Sequence, residues 1–276
     1  MRLGIFAKIF LRPTVEQTFD AVRRCGIGIV QFNFSCAGLP TIPDSIEQPV
    51  LDRIRQALEA CQIEVAAVSA TFNLIDPDRE RRNQNLKRLD VLANACEGIG
   101  ASTLTLCTGT RDPDDMWRAH PDNRTADAWT DLLYSLEAAL WMTEPSAPKL
   151  LVEPEPGNVV SDAVRARRLL DEMKSPRLGI LFDAANIFAE SMNRPQRDVL
   201  SKALDLLAPE IALAHGKELS AEHDQRPRAP GQGILDWGVY LELLAQAGYQ
   251  GPLILHGFEE QDAEEAVWFA KSLVDR

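Results

Sequence analysis

The chain has 276 residues, 45% of them hydrophobic, and its 29 basic and 41 acidic side chains leave a formal net charge of −12. That length suits one (β/α)8 barrel, which typically takes about 250 residues. The acidic balance opposes a polyanion such as nucleic acid, and no run reaches the ~18 uninterrupted apolar residues of a membrane span, so neither partner is expected.

Strand-like runs rich in β-branched and aromatic residues alternate with segments of helical periodicity. LGIFA (3–7) precedes a helix over 14–25 whose start is signalled by Thr14, and IVQFNF (29–34) precedes one over 45–61. VAAVSATF (65–72) leads to a helix over 79–98, and TLTLCTGT (103–110) to one over 125–143. LLVEPE (150–155) leads to a helix over 161–173 opened by Ser161 and Asp162, and LGILFD (178–183) to one over 196–208. IALAH (211–215) is followed by a helix over 236–247 opened by Asp236, and PLILH (252–256) by a last one over 262–274.

Near-continuous apolar strands between amphipathic helices imply a parallel sheet covered by helices. Eight such units predict an α/β fold, a single-domain (β/α)8 TIM barrel spanning residues 1–276. A doubly wound open sheet is the competing architecture, but no strand is followed by G-x-G-x-x-G or a Walker loop. Residues 109–123 and 216–233 form loops longer than connection requires, both after strand C-terminal ends, and are candidate lids or substrate walls.

The basic cluster Arg79 to Arg82 with Lys87 and Arg88 is interleaved with Asp78, Glu80 and Asp90, which predicts a solvated helix face. Cys25, Cys36, Cys61, Cys96 and Cys107 have no C-x2-C spacing, so reduced and mostly buried thiols are expected. Cys36 and Cys107 fall near strand ends, where a reactive thiol is the alternative to a small buried hydrophobe. The N-terminus runs directly into an apolar strand without a signal-peptide pattern, and a cytoplasmic location is expected.

Four metal-capable side chains stand where apolar runs stop: Glu153, Asp183, His215 and His256, separated by 30, 32 and 41 residues. A barrel of this size spends ~30 residues per βα unit, so four successive strands would each deliver one ligand to the same rim. The strand period of two puts Glu155 on the side of Glu153 and Lys217 on the side of His215. Two carboxylates and two imidazoles suit Mn2+, Zn2+, Co2+ or Fe2+ better than Ca2+ or a soft copper site, with Mg2+ also within the set. A metal there would polarise a carbonyl beside a carbon acid. Taken singly, each of these residues could instead be a hydrogen-bonded strand end. Together, in register, they predict a shared site for one divalent ion.

VEPEPGN (152–158), LGILFDAANIF (178–188), AHGKE (214–218), GQGILDW (231–237), YLELLAQAGYQGPLILHG (240–257) and the opening LGIFAKIF (3–10) resemble the sugar-phosphate isomerase/epimerase family of xylose-isomerase-like barrels. The resemblance runs nearly end to end. It implies metal ligation by Glu153, Asp183 and His215, whereas His256 stands where the family usually has a glutamate. It also implies paired acid/base carboxylates, of which this chain keeps Glu153. The second base is then Glu155, Lys217 or Glu259. Glu155 could equally hydrogen-bond the loop at Asn158, and Glu259 belongs equally to the acidic lead-in of the last helix.

Asn186 stands where many members carry a substrate-binding histidine. Lys8 and Lys217 could pair with a substrate anion or form rim salt bridges. Gln31 and Asn33 share a strand face and could meet sugar hydroxyls, although Asn33 also suits a turn. Trp117 and His120, in the 109–123 loop, could stack on or contact substrate, or pack within the loop.

The resemblance implies an isomerase or epimerase acting on a small sugar, sugar acid or sugar phosphate, and is compatible with a homo-oligomer. A lyase or dehydratase shares the enediolate and differs only in expelling a hydroxyl. A sugar-binding barrel without catalysis is the reading from another class. A three-metal DNA-cutting barrel needs further ligands from the second to fourth strands, which the sequence lacks.

Overall fold

Each apolar run predicted as a strand forms one: β1 Arg2–Phe6, β2 Ile29–Phe32, β3 Glu64–Ser69, β4 Thr103–Cys107, β5 Lys149–Glu153, β6 Leu178–Asp183, β7 Ile211–Gly216 and β8 Pro252–Leu255. In this computed structural model, which describes residues 1–221 and 228–274, they pair in parallel and in sequence order, and β8 closes on β1. Part of the long loop expected over 216–233, namely 222–227 with His223, lies outside the described residues.

The helices are α1 Val15–Arg24, α2 Gln48–Cys61, α3 Arg79–Gly98, α4 Ala126–Met142, α5 Ala163–Met173, α6 Ala184–Ala189, α7 Gln196–Leu207, α8 Trp237–Gln246 and α9 Ala263–Val274. Three expected caps are present: Thr14 Oγ1, Asp162 Oδ1 and Asp236 Oδ1 accept backbone N–H groups of Gln17, Arg165 and Val239, each three residues on. The short α6 was not expected. Its cap is Asp183, whose Oδ1 accepts from Ala185 N (2.8 Å) and Asn186 N (3.2 Å).

Four strands, β2 to β5, stop two or three residues earlier than the apolar pattern suggests. β5 ends at Glu153 because Pro154 brings no N–H to the ladder. β4 ends at Cys107, before Gly109 turns to φ +75° and donates to Asn158 Oδ1 (2.7 Å). β3 ends at Ser69, and Thr71 continues into the mouth of the barrel.

Two apolar layers hold these elements. One fills the space between sheet and helices; the other, Ile29, Ala67, Leu151, Leu181, Leu213 and Ile254, fills the barrel interior. Gly4 supplies β1's share of that interior, where a Cβ would come within 2.5 Å of Ile254 Cδ1.

The interior layer positions everything above it. Residues two apart on a strand share a face, so the next inward positions are Gln31, Ser69, Glu153, Asp183, His215 and His256. The floor of the candidate site is therefore the next rung of the barrel's own packing.

The basic cluster on α3 is not simply a solvated face. Arg82 is buried and pairs with Asp131 (3.0 Å), while Arg88 pairs with Asp44 (2.6 Å) and Arg81 with Asp76 (2.5 Å). Cys36, Cys96 and Cys107 are buried, whereas Cys25 and Cys61 are half-buried. Burial pushes the Cys36 thiol up to about 11 and raises Cys107 further; Cys107 also donates to Phe72 O (3.1 Å), so neither is a reactive thiolate. Among the described residues, no helix is long and apolar enough to cross a membrane.

Candidate metal centre and rim

Glu153, Asp183 and His215 end or nearly end β5, β6 and β7, and His256 directly follows β8. One ligand atom from each lies within 4.8 Å of the others. His215 Nδ1 is 3.1 Å from Glu153 Oε1 and 3.9 Å from Asp183 Oδ2, and His256 Nε2 is 3.2 Å from Asp183 Oδ2. A tetrahedral ion with bonds of 2.0–2.2 Å has ligand edges of ~3.3–3.6 Å, so this set fits a small divalent ion.

Hydrogen bonding divides the labour within each ligand. Asp183 commits Oδ1 to capping α6, which leaves Oδ2 for the shared centre. The other nitrogen of His215, Nε2, is 2.8 Å from Gln31 Oε1, and Gln31 Nε2 donates to Thr105 Oγ1 (3.3 Å). A carboxamide oxygen only accepts, so the proton sits on Nε2 and Nδ1 turns its lone pair to the carboxylates. Gln31, proposed from the sequence as a sugar contact, is thus engaged with a ligand histidine.

The charges follow from burial. Burial pushes both His215 and His256 down to about 4, so both are neutral near pH 7 and can donate lone pairs. Burial, with the nearby charge of Asp183, raises the Glu153 carboxyl to about 8. Glu155, raised to about 8 by burial and by Glu153, forms a second elevated carboxyl beside it. For Asp183 burial acts in the same direction, but Lys217 and the His256 contact outweigh it and hold the carboxyl below its usual range. Lys217 is kept cationic by Asp183, Glu155 and Glu153 although burial opposes it.

Asn186 joins two of these groups: its Nδ2 donates to Glu153 Oε1 (3.0 Å) and its Oδ1 accepts from Lys217 Nζ (2.7 Å). Glu155 satisfies the loop through its backbone, whose carbonyl accepts from Asn158 N (2.8 Å), while its side chain lines the mouth. Lys8, just beyond β1, and Trp117 also line the mouth.

Asn33 is buried at the rim; its Oδ1 accepts from Ser35 N (2.9 Å) and Thr41 Oγ1 (3.3 Å). His120 is not brought to the rim: its Nδ1 accepts from Asp122 N (3.2 Å), capping the turn Pro121–Arg124. Glu259 lines neither cavity at the mouth and precedes the turn Glu260–Asp262.

The 109–123 loop is tied down as a wall. Asn158 Nδ2 donates to Met116 O (3.2 Å), and Asn123 bridges Arg111 N (2.7 Å) and Gly157 O (2.9 Å). A Cβ on Gly157 would lie 2.1 Å from Trp117 O, so only glycine lets the loop sit this close.

A family model described as "Xylose isomerase-like TIM barrel" matches residues 19–273. Among solved structures, the chain is similar to the apo form of 3-keto-D-glucoside 4-epimerase from E. coli, at 17% identity and TM-score 0.77 over 99% of both chains. A probable 3-DHS dehydratase from Bacillus anthracis is 13% identical with TM-score 0.77 over 100% of this chain and 99% of that one. The IOLI protein with a bound zinc atom is 16% identical with TM-score 0.74, covering 99% of this chain and 96% of that one. No curated protein sequence matches significantly. At these identities the structural likenesses speak for the fold, and the family match spans nearly the whole chain: it belongs to the xylose isomerase-like TIM barrel family.

Proposed function

We propose that this protein is a metal-dependent isomerase or epimerase that removes a proton beside a carbonyl of a small carbohydrate. The observation that carries the reading is the convergence of Glu153, Asp183, His215 and His256 on one point, with the elevated carboxyl of Glu155 beside them. A bound divalent ion would supply Lewis-acid polarisation of the carbonyl and its neighbouring hydroxyl.

The chain's own groups do the rest. Glu153 takes the proton from carbon, its carboxyl being held in place at the shared centre by Asn186 Nδ2 (3.0 Å). Lys217 places a fixed positive charge where the oxyanion grows. Glu155 gives its own proton to carbon while Glu153 keeps the one it removed, both carboxyls then re-equilibrating with solvent, and Asn186 keeps Glu153 and Lys217 in fixed relation. His256 in place of a second ligand glutamate favours a lyase as the alternative reading, in which Glu155 protonates a departing hydroxyl instead.

Purified protein is expected to carry about one divalent ion per chain, and chelation is expected to abolish turnover. His256→Ala should weaken metal affinity roughly 10- to 100-fold while the barrel stays folded. Full activity in a chelator, with no ion by metal analysis, excludes the metal-dependent reading.

Gln31→Leu removes the acceptor that places the proton on His215 Nε2, and metal affinity should again fall roughly 10- to 100-fold. Gln31→Glu keeps an acceptor there and should recover most of it. Direct titration of metal into the two variants checks this, and equal affinities for Gln31→Leu and the parent would assign Gln31 to packing alone.

A further inference from the structure

The mouth of the barrel holds two cavities of different chemistry. The inner one, about 340 Å3, has the ligand residues Glu153 and His215 in its wall and apolar Leu106 and Met116 beside six polar side chains, Gln31, Asn33, Thr41, Ser69, Thr71 and Thr105. All six are neutral amides or hydroxyls. The outer one, about 670 Å3, has a larger apolar share, with Ile9, Ala189, Met192, Leu219 and Phe258 in its wall beside the polar Asn186, Lys217, Glu218 and Ser220. Its wall includes the unexpected helix α6 and the residues after it, through Ala189 and Met192.

The two cavities meet at a neck. Phe6, Lys8, Trp117, Glu155 and His256 belong to both walls. The neck therefore contains the ligand residue His256 and the side chain of Glu155, so a molecule reacting there extends into both cavities.

We infer that the substrate has two unlike parts: a polyhydroxylated, uncharged portion that carries the carbonyl in the inner cavity, and an apolar substituent, such as a glycosidic aglycone on a carbon other than the carbonyl, in the outer one, with the reacting carbon on the inner side of the neck beside Glu153. This rests on the proposed carbohydrate chemistry and adds the class of substrate. Hydroxyl and amide groups match sugar hydroxyls, since each can both donate and accept. Asn33 illustrates this: its oxygen is engaged, and its Nδ2 has no partner among the described residues.

The same walls weigh against a phosphate. Phosphate recognition uses convergent cationic forks or open helix N-termini. Among the described residues no arginine lines either cavity, Lys217 Nζ is engaged with Asn186 Oδ1 (2.7 Å) beside the charge of Asp183, and Lys8 is the one lysine common to both walls. The N-terminus of α6 is capped by Asp183.

The test is calorimetric titration of the Mn2+-loaded protein with free hexoses, their 4-nitrophenyl glycosides and hexose 6-phosphates. At least one nitrophenyl glycoside should bind about 10- to 100-fold more tightly than its parent hexose, the gain from burying roughly 100 Å2 of apolar surface. Met192→Gln should lower the glycoside-to-hexose affinity ratio at least fivefold, whereas Thr71→Val should weaken glycoside and hexose alike. Equal affinities for glycoside and hexose, or preference for a 6-phosphate, overturn the two-part substrate. If a free ketose still exchanges its carbon-bound proton with solvent in that case, the proposed proton abstraction stands by itself. Absence of binding by every saccharide, with metal shown to be bound, overturns both.

Discussion

Glu153→Gln is expected to lower exchange of substrate protons with solvent deuterium by roughly 10²- to 10⁴-fold, the range over which a positioned acid/base group contributes. The amide keeps the shape of the side chain and one acceptor oxygen, so the apolar rung below it, Leu151, and the barrel itself should be undisturbed. What disappears is the basic oxygen between His215 Nδ1 and Asn186 Nδ2. The companion change Glu155→Gln should leave exchange at one carbon but block completion, because the group that returns a proton or releases a hydroxyl is gone. Deuterium exchange measured by NMR or mass spectrometry separates the two. Undiminished exchange in Glu153→Gln would transfer the base to Glu155 or Lys217.

The largest loss of stability is expected at a residue outside the catalytic proposal. Glu218 is buried just after β7, and among the described residues its carboxylate accepts four hydrogen bonds. Oε1 accepts from Leu219 N (2.9 Å) and Leu235 N (3.0 Å), and Oε2 from Gly231 N (2.7 Å) and Trp237 Nε1 (3.0 Å). It thereby ties both ends of the long loop to the start of α8. Glu218→Ala leaves four donors without that acceptor, and each buried orphan costs about 1–3 kcal/mol where water cannot replace it. A total loss of ~3–5 kcal/mol is expected, comparable to breaking a buried charged pair. Glu218→Gln, which turns one acceptor into a donor facing two donors, should fall between. Denaturant midpoints followed by tryptophan fluorescence measure this, and a change below about 1 kcal/mol would show that solvent already satisfies these groups. Because Leu219 lines the outer cavity, the Glu218→Ala protein should also bind apolar ligands less well.

The barrel and the four convergent side chains were legible in the sequence because both rest on local periodicity. Eight apolar runs separated by helical patterns leave few architectures, and a polar residue at the end of such a run is carried to the strand's C-terminal rim. Leu151 and Glu153, Leu181 and Asp183, Leu213 and His215, and Ile254 and His256 repeat one pattern, an inward apolar residue followed two positions later by an inward polar one. Period-two geometry then requires the four to face one axis.

Tertiary structure alone decided what each atom of those residues does. That Gln31 meets His215, 184 positions away, depends on closure of the barrel and on the register shift between β2 and β3 beside Gln31. The two oxygens of Asp183 took separate tasks because a short helix begins immediately after β6, and AANIFA is too brief to show helical periodicity. His120 looked like a rim residue because its loop follows a strand end, yet a loop's path is set by long-range hydrogen bonds such as those of Asn123 and Asn158, which turn His120 to capping and leave Trp117 at the mouth. Local pattern determined which residues reach the rim along strands. Only contacts between distant segments determined which loop residues join them, and how the space above is divided.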